Sequence, residues 1–407
     1  MALAGTHDRR IAGLDGLRAL AVISVVLTHY GAYEGLEGRA FLPLIHGVTG
    51  VRAFFVLSGF LITRLLIQEF KDNGRVGYGD FLARRALRIF PLYFLFLSLV
   101  SLLYLAGYWK GHPGGLVYAW LYLYNFVPQQ LYDPLLAHTW SLAVEEHFYL
   151  LWPLVLLVFI RNRNALVRFT VVGALLSFAS YIVFVRWLEL RGAFIERWTP
   201  VAAFSLFVGC LAAQLSQFEK IGASITRFCG SRAGIVVAAL MFTAPALLRW
   251  APALAERTLP NYFAVSLQSV GIAVFLLWVA ANQTSLVVGA LELKPLKYIG
   301  TISYGIYIWQ GFFLGVSPAR LPGVAWPPDP VIGLLGIALF APLSYHLFEK
   351  KFLAMKGRFR VSRPARTRRS PGRLPKEAVS IQVASTPRAP DEHDRVIHPR
   401  RLRVLPR

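Results

Sequence analysis

The sequence predicts an all-α fold, a polytopic bundle of about ten transmembrane helices with both termini in the cytoplasm. Two observations lead to this prediction. Apolar and aromatic residues make up 56% of the 407 residues, charged residues make up only 16%, and the mean hydropathy is +0.51. Soluble proteins commonly devote about a quarter of their residues to charge. In addition, apolar runs of about 20 residues, the length that crosses a bilayer, recur along the chain with basic clusters between them.

Ten runs fit this length: 11–31, 44–66, 89–109, 139–160, 167–187, 199–217, 233–249, 262–281, 298–317 and 330–349. An aromatic stretch at 115–128 is shorter, and Asn125 and Pro128 interrupt its end, so we expect it to lie at the outer interface or to re-enter the membrane. Leaving it out keeps the basic clusters and the N-terminus on one side, which the positive-inside rule makes the cytoplasm. The first run lacks a small-residue cleavage site, so we expect no cleavable signal peptide.

The last eighth of the chain differs in composition. Residues 356–407 contain 15 Lys or Arg and four acids, are rich in Pro and Ser, and have no apolar run. The sequence therefore predicts a membrane domain at 1–355 and a disordered basic cytoplasmic tail at 356–407. Attraction to anionic lipid headgroups is a simpler explanation for this charge than nucleic-acid binding, and we expect no nucleic-acid partner. Only two cysteines are present, without a CxxC pattern, so we predict no metal site.

Ionisable residues inside the predicted spans are costly and indicate a function or a buried partner. Arg18 and His29 are eleven residues apart, so at about 100° per residue they share one helix face about 16 Å apart. Asp15 could pair with Arg18, and His29 could serve only as a hydrogen bond between helices. Two adjacent acids, Glu145 and Glu146, stand at the start of another span, and spacing does not choose between them.

These positions predict one polar cavity through the bundle with a cationic cytoplasmic mouth. Arg84, Arg85 and Arg88 follow a span, where they could also be no more than the positive-inside signal. A cationic mouth suits a phosphorylated donor such as a coenzyme A thioester. A histidine near a carboxylate suits removal of a proton from a hydroxyl.

Five segments, in order, resemble the acyltransferase-3 family of integral-membrane acyltransferases: LDGLRALAVISVVLTHY, FFVLSGFLIT, FLARRALRIFPLYF, HTWSLAVEEHFYLLWPLVL and YIGTISYGIYIWQ. The resemblance covers about residues 9–352. The family includes bacterial O-acetylases of lipopolysaccharide, peptidoglycan, exopolysaccharides and antibiotics. It implies a multi-pass protein of the bacterial cytoplasmic membrane that moves an acyl group, often acetyl, from cytoplasmic acyl-CoA to a hydroxyl, with no tightly bound cofactor.

The resemblance also implies roles for individual residues. The family's Arg–ten residues–His pattern falls on Arg18 and His29, and its donor-contacting Arg-x-x-Arg pattern falls on Arg85 and Arg88. Its Trp-Ser-Leu-x-x-Glu pattern selects Glu145 over Glu146 and includes Trp140 and Ser141. We therefore expect His29 to act as general base, or to carry the acyl group transiently, with Glu145 orienting it and Arg18 stabilising negative charge.

Three positions depart from the family pattern. Arg52 stands where Asp or Ser is common, Gln310 stands where many members have His, and Glu-Lys-Lys at 349–351 replaces Glu-x-Pro. We place Arg52, Trp140 and Ser141 on the acceptor side of the cavity, and Arg52 suggests an acceptor with an anionic group. The main alternative to an acyltransferase of glycans or glycolipids is a transporter or flippase of a lipid-linked glycan, which would share the intramembrane charges.

Overall fold

The computed structural model describes residues 10–33, 47–109, 111–190, 194–248, 258–314 and 329–359, and within these ranges the chain is helical with no β-strand. The helices are α1 (Leu14–Tyr33), α2 (Gly47–Asn73), α3 (Tyr78–Leu105), α4 (Pro113–Trp120), α5 (Thr139–Phe159), α6 (Arg163–Arg186), α7 (Thr199–Gln217), α8 (Glu219–Cys229), α9 (Arg232–Leu248), α10 (Thr258–Ala281), α11 (Leu286–Leu291), α12 (Lys294–Thr301), α13 (Ser303–Phe313), α14 (Pro330–Ser344) and α15 (Lys350–Ala354). A π-helical turn, Tyr345–Glu349, joins α14 to α15, and a 3-10 turn, Met355–Phe359, follows α15.

Seven helical segments in the described ranges are long and apolar enough to cross a membrane: α2, α3, α5, α6, α7, α10 and the continuous segment Pro330–Phe359. The pair formed by α8 and α9, bent by 78°, would make an eighth. The prediction of a multi-pass helical membrane protein is confirmed at this level. The span count of ten and the cytoplasmic location of the termini stay predictions.

Two of the predicted spans differ from the rest. Helix α1 has 20 residues, but Asp15, Arg18 and His29 lower its hydropathy, and it is not among the seven segments. The run 298–317 is broken at Ile302 into the short helices α12 and α13, and its last residues, 315–317, lie outside the described ranges. The stretch 115–128 contains most of α4, which at eight residues is too short to cross, and the 3-10 turn Tyr124–Phe126; its place at the outer interface stays a prediction.

Helices α2 and α7 pack with their backbones in direct contact. A Cβ atom added to Gly59 would lie 2.1 Å from the carbonyl oxygen of Leu206, and one added to Gly209 would lie 2.1 Å from that of Val56. Small residues permit this approach between membrane helices, where van der Waals packing supplies much of the association energy. The contact holds α2, which carries several site residues, against α7.

The beginning of α1 is held by groups from the segment after α10. Gly16 packs on the Leu291 backbone, where an added Cβ would lie 2.3 Å from the carbonyl oxygen. The Glu292 carboxylate accepts a hydrogen bond from the Gly13 amide at 2.6 Å and pairs with Lys297 at 2.9 Å. Burial acts to raise the pKa of Glu292, but these two partners outweigh it, and the pKa lies below its ordinary value.

We call the end of the bundle where α1 and α3 begin the basic end, and the opposite one, where α2, α5, α7 and α10 begin, the far end. At the basic end Arg84 pairs with Glu69 at 2.9 Å and donates a hydrogen bond to the carbonyl oxygen of Phe359. The 3-10 turn Met355–Phe359 extends the helical part of the chain four residues past the predicted domain boundary at 355. The remainder of the predicted tail, 360–407, lies outside the described residues.

Candidate active site

A first cavity, about 90 Å³ in volume, lies among α1, α2, α3, α5 and α13. It brings together five of the residues predicted from sequence, which come from three helices far apart in the chain: Arg18, Arg85, Arg88, Ser141 and Glu145. The rest of the described lining is mostly apolar and aromatic, and five of its residues carry hydroxyl groups: Ser58, Tyr149, Ser303, Tyr304 and Tyr307. A mostly apolar cavity with a few convergent polar groups is the usual form of a small-molecule site.

The Glu145 carboxylate is anchored in the cavity wall. One of its oxygens accepts a hydrogen bond from Ser58 at 2.9 Å, the other accepts one from Tyr149 at 2.8 Å, and the two hydroxyl groups are 3.2 Å apart. Tyr149 follows Glu145 by four residues, so one turn of α5 places both on the same face. Both oxygens of this buried acid therefore have a hydroxyl partner.

Glu146, the neighbouring acid, does not line the first cavity. One residue further along an α-helix points about 100° away. Its Oε1 atom is buried without a hydrogen-bond partner. The structure thus separates the two acids that spacing leaves equivalent, and it puts Glu145, the one selected by the family pattern, in the cavity.

The same helical geometry sorts the three arginines of α3. Arg85 and Arg88 are three residues apart, share a face and line the cavity, and the Arg85 guanidinium lies 5.6 Å from the ring centres of both Phe81 and Tyr149. Arg84 turns away to its partners at the basic end. Arg18 reaches the cavity from α1 while its Nη1 atom holds Asp15 Oδ1 at 2.8 Å. The described cavity walls therefore carry three guanidinium groups and one carboxylate.

His29 lies outside this group. It is not among the described lining residues of the first cavity, and the hydrogen bonds of Glu145 go to Ser58 and Tyr149 instead. The orientation of His29 by Glu145, which the resemblance implies, stays a prediction. His29 is close enough to His138 for their charges to interact. Its role as general base stays a prediction.

His138, which the sequence analysis did not include in the site, is the residue before α5. Its ring is 5% exposed, packs edge-on against Phe96 and Tyr307, and has both nitrogens buried without a hydrogen-bond partner. Its carbonyl oxygen accepts a hydrogen bond from Tyr307, whose hydroxyl also contacts Ser141. A buried histidine near His29 and the cavity is a second candidate for proton handling. The signal in the sequence that could have found it is its depth, since His138 falls in the same half of the predicted spans as His29 and Glu145, two residues before Trp140.

Arg52 and Trp140 line a second cavity of about 180 Å³ at the far end, and not the first. The two cavities share Val51 and Phe55 as lining residues, and the Phe55 ring packs edge-on against Trp140 at 5.9 Å. The two cavities therefore adjoin at these apolar side chains, and the single polar cavity with Arg52 in its outer part stays a prediction. Among the described residues, no group of three His, Cys, Asp or Glu could hold a metal ion.

The comparison with protein families agrees with the sequence motifs. A family model described as an acyltransferase domain, Acyl_transf_3, matches residues 11–348. The chain belongs to the acyltransferase-3 family. The residues matched by the family model include every helix that lines the first cavity, from α1 to α13.

Individual relatives are similar at the level expected within a family. The peptidoglycan O-acetyltransferase OatA of Listeria monocytogenes is 30% identical over 324 residues, which cover 74% of this chain and 49% of the relative. YrhL of Bacillus subtilis, named as a candidate peptidoglycan O-acetyltransferase, is 29% identical over 362 residues, covering 84% and 55%. The O-acetyltransferase OatA of Staphylococcus aureus is 29% identical over 366 residues, covering 84% and 57%.

The chain thus spans about half the length of the relatives that it matches. No solved structure matches the chain.

Proposed function

We propose that this family member is a membrane O-acyltransferase that moves an acyl group, acetyl being the expected one, from acyl-CoA to a hydroxyl of a glycan or glycolipid. The observation that carries the proposal is the convergence of Arg18, Arg85 and Arg88 with the anchored Glu145 in one cavity. The matched relatives, named as peptidoglycan O-acetyltransferases, support a carbohydrate acceptor. Their bacterial origin and the apolar helices support a place in the cytoplasmic membrane, with the basic end and both termini inside.

The three arginines are assigned to the donor. Guanidinium groups bind phosphate through paired hydrogen bonds, and they keep their charge when partly buried. Coenzyme A carries several phosphate groups, and its thioester would reach past them into the first cavity. Arg18, the arginine that also holds Asp15, is assigned to the negative charge that develops on the thioester oxygen during attack.

Transfer requires one proton to leave the acceptor and return to the sulfur. In the proposed reaction His29 takes the proton of the acceptor hydroxyl while the hydroxyl oxygen attacks the thioester carbonyl carbon. The carbon–sulfur bond then breaks, the ester remains on the acceptor, and the proton passes from His29 to the CoA sulfur as the free thiol forms. In a second version, His29 attacks the thioester carbonyl carbon and the carbon–sulfur bond breaks, so that CoA leaves as a thiolate and takes up a proton. The acceptor hydroxyl then attacks the acyl-imidazole, loses its proton, and releases free His29 as the ester forms.

Glu145 acts on this reaction from the cavity wall. Its negative charge offsets three arginines and favours the protonated form of a nearby imidazole. Its hydrogen bonds with Ser58 and Tyr149 hold both hydroxyl groups in fixed positions beside the thioester site. Glu145 is therefore assigned an electrostatic and positioning role, in place of direct contact with His29.

The donor assignment is tested with the double variant Arg85→Gln/Arg88→Gln and the matched control Arg84→Gln. We expect at least tenfold weaker acetyl-CoA binding and a loss of acetyl transfer in the double variant, measured on protein in lipid nanodiscs with labelled acetyl-CoA and peptidoglycan fragments. The control removes an equivalent charge that contacts Glu69 and Phe359 at the basic end and does not line the cavity. It should lower thermal stability but leave acetyl-CoA binding and transfer per folded molecule within about threefold.

The same assay tests the base. His29→Ala should lower transfer by about 10²–10⁴ while acetyl-CoA binding is kept, which is the usual effect of removing a general base. Wild-type transfer by His29→Ala would remove His29 from the mechanism. Movement of a lipid-linked glycan across the bilayer with no acetylated product, and with no response to acetyl-CoA, would favour the transporter or flippase instead.

A further inference from the structure

The second cavity has a lining that the donor chemistry does not use. It lies at the far end, where α2, α5, α7 and α10 begin, together with the turn Ile195–Arg197 that precedes α7. Among its described lining residues are two arginines, one acid, three serines and two polar aromatic residues: Arg52, Arg197, Glu196, Ser205, Ser266, Ser269, Trp140 and Tyr262. At about 180 Å³ it is larger than the first cavity.

The charged groups of this lining are incompletely paired. Arg52 and Glu196 are 4.0 Å apart at their nearest atoms, well beyond the 2.7–2.9 Å that is usual for a charge-assisted hydrogen bond. Arg197 lies 5.0 Å from the ring centres of Tyr132 and Phe194, and its Nη1 atom is buried without a hydrogen-bond partner. Two cations and one anion leave this described lining with an excess positive charge.

Hydroxyl groups surround these cations. The Tyr262 side chain is 6% exposed, and its hydroxyl makes no hydrogen bond of normal geometry, although Ser266 is nearby. The hydroxyls of Ser205 and Ser269 are 2.9 Å apart on facing helices. Arg197 Nη1 and the Tyr262 hydroxyl are thus two buried polar groups of one cavity lining that have no hydrogen-bond partner.

We infer that the second cavity binds an oxyanion carried by a saccharide, held by Arg52 and Arg197, with neighbouring sugar hydroxyls held by Tyr262 and the serines. Carboxylate and phosphate both match the guanidinium geometry, so the shared chemistry is an oxyanion beside a polyol. A ligand of this kind supplies acceptors to Arg197 Nη1 and to the Tyr262 hydroxyl, the two groups that the protein leaves unpaired.

The inference rests on the proposed function in one respect: the saccharide is assigned as the acceptor. Val51 and Phe55 line both cavities, so a saccharide in the second cavity would lie next to the cavity assigned to the thioester. The two compartments then hold donor and acceptor from opposite ends of the bundle. Arg52 becomes a determinant of acceptor choice.

Binding in the absence of acyl-CoA tests the site separately from catalysis. Full-length protein in nanodiscs is titrated calorimetrically with three probes: a disaccharide bearing a uronic acid, the corresponding sugar phosphate and the neutral disaccharide. We expect at least one anionic probe to bind ten or more times tighter than the neutral one. The stronger of the two anionic probes identifies the oxyanion as carboxylate or phosphate. Equal binding of all three probes, or no binding of any, would overturn the inference.

Variants locate the binding. Arg197→Gln should lower the affinity for the anionic probe at least tenfold. Arg197→Lys should lower it less, since Lys keeps the positive charge but lacks the planar guanidinium that forms paired hydrogen bonds. Tyr262→Phe should lower the affinity for the anionic probe severalfold. The controls are Arg186→Gln, an exposed cation, and Tyr181→Phe, whose ring stacks on Tyr262 but does not line the cavity. Both should bind within twofold of the unmodified protein. Full affinity in both Arg197→Gln and Tyr262→Phe would refute the site.

Failure of this inference and failure of the proposed function have different signatures. Anionic probe binding should be unchanged in Arg85→Gln/Arg88→Gln, and acetyl-CoA binding should be unchanged in Arg197→Gln. Saccharide binding without acetyl transfer would keep the site and reject the acyltransferase. Acetyl transfer that is indifferent to Arg197→Gln and Tyr262→Phe would keep the enzyme and reject the site.

Discussion

The two adjacent acids of α5 provide a test of the first cavity, because they are chemically identical and only Glu145 lines it. Glu145→Gln keeps the size and shape of the side chain but removes the charge. Glu146→Gln makes the same change on a side chain that does not line the cavity. The difference between the two variants therefore reports the effect of the charge at Glu145 and not the effect of any amide in this part of the helix.

The expected size of the effect follows from the contacts. Glu145 accepts hydrogen bonds from Ser58 and Tyr149 at 2.9 and 2.8 Å. Hydrogen bonds to a charged group contribute about 1.5–3 kcal/mol and neutral ones about 0.5–1.5 kcal/mol, so the amide should cost roughly 1–3 kcal/mol of stability over both bonds. Weakening the base in addition should lower the transfer rate about 10²–10⁴-fold, equivalent to about 3–5 kcal/mol in the barrier.

For Glu146 the expectation is reversed. Its buried Oε1 has no hydrogen-bond partner, so replacing the carboxylate removes an unfavourable buried group. The Glu146→Gln variant should unfold at the same temperature as the unmodified protein or higher, with transfer within about threefold. The assay is transfer of labelled acetyl from acetyl-CoA in nanodiscs, with thermal unfolding measured on the same samples. Equal losses of transfer in both variants, or full activity in Glu145→Gln, would refute the assignment.

Three further predictions concern the scaffold. Gly59→Ala should destabilise the protein by about 1–3 kcal/mol in thermal unfolding, because the added methyl meets the α7 backbone, whereas Gly79→Ala, with open space around it, should not. Glu292→Gln should lower stability at pH 7, and the difference from the unmodified protein should vanish as the pH falls through the lowered pKa of Glu292, because the carboxylate stabilises the fold only while ionised. Truncation after Phe359 should leave transfer within about threefold, whereas a cut after residue 355, which removes the carbonyl contacted by Arg84, should lower activity or stability clearly.

The sequence determined the class of the fold and much of the first cavity. Composition alone predicts helices in lipid, and the motifs place the chain in its family. The family's Arg-x-x-Arg pattern also selects Arg85 and Arg88, whose spacing of three residues puts them on one helix face. These predictions succeed because they depend on the backbone geometry of one helix and on the solvent around it, both of which are local properties of the chain.

The sequence did not predict which side chains of different helices come into contact. The sequence does not predict that Ser58 and Tyr149 hold the Glu145 carboxylate, a contact that joins α2 to α5. Depth along the predicted spans places His29 and Glu145 in the same half of the membrane. It could not fix which side chains meet, because two residues at equal depth can lie on opposite sides of a packed helix.

The division into two cavities was decided by tertiary structure alone. Arg52 and Ser58 are six residues apart on α2, yet Arg52 lines the second cavity and Ser58 the first, and Val51 and Phe55 line both. The cavity that each side chain lines depends on how α2 packs against α5 and α7, and the close approach to α7 depends on Gly59 and Gly209 meeting opposing carbonyl groups. A sequence specifies the small residues that permit such an approach. Only the packed structure shows which backbone each of them meets, because that contact joins segments about 150 residues apart in the chain.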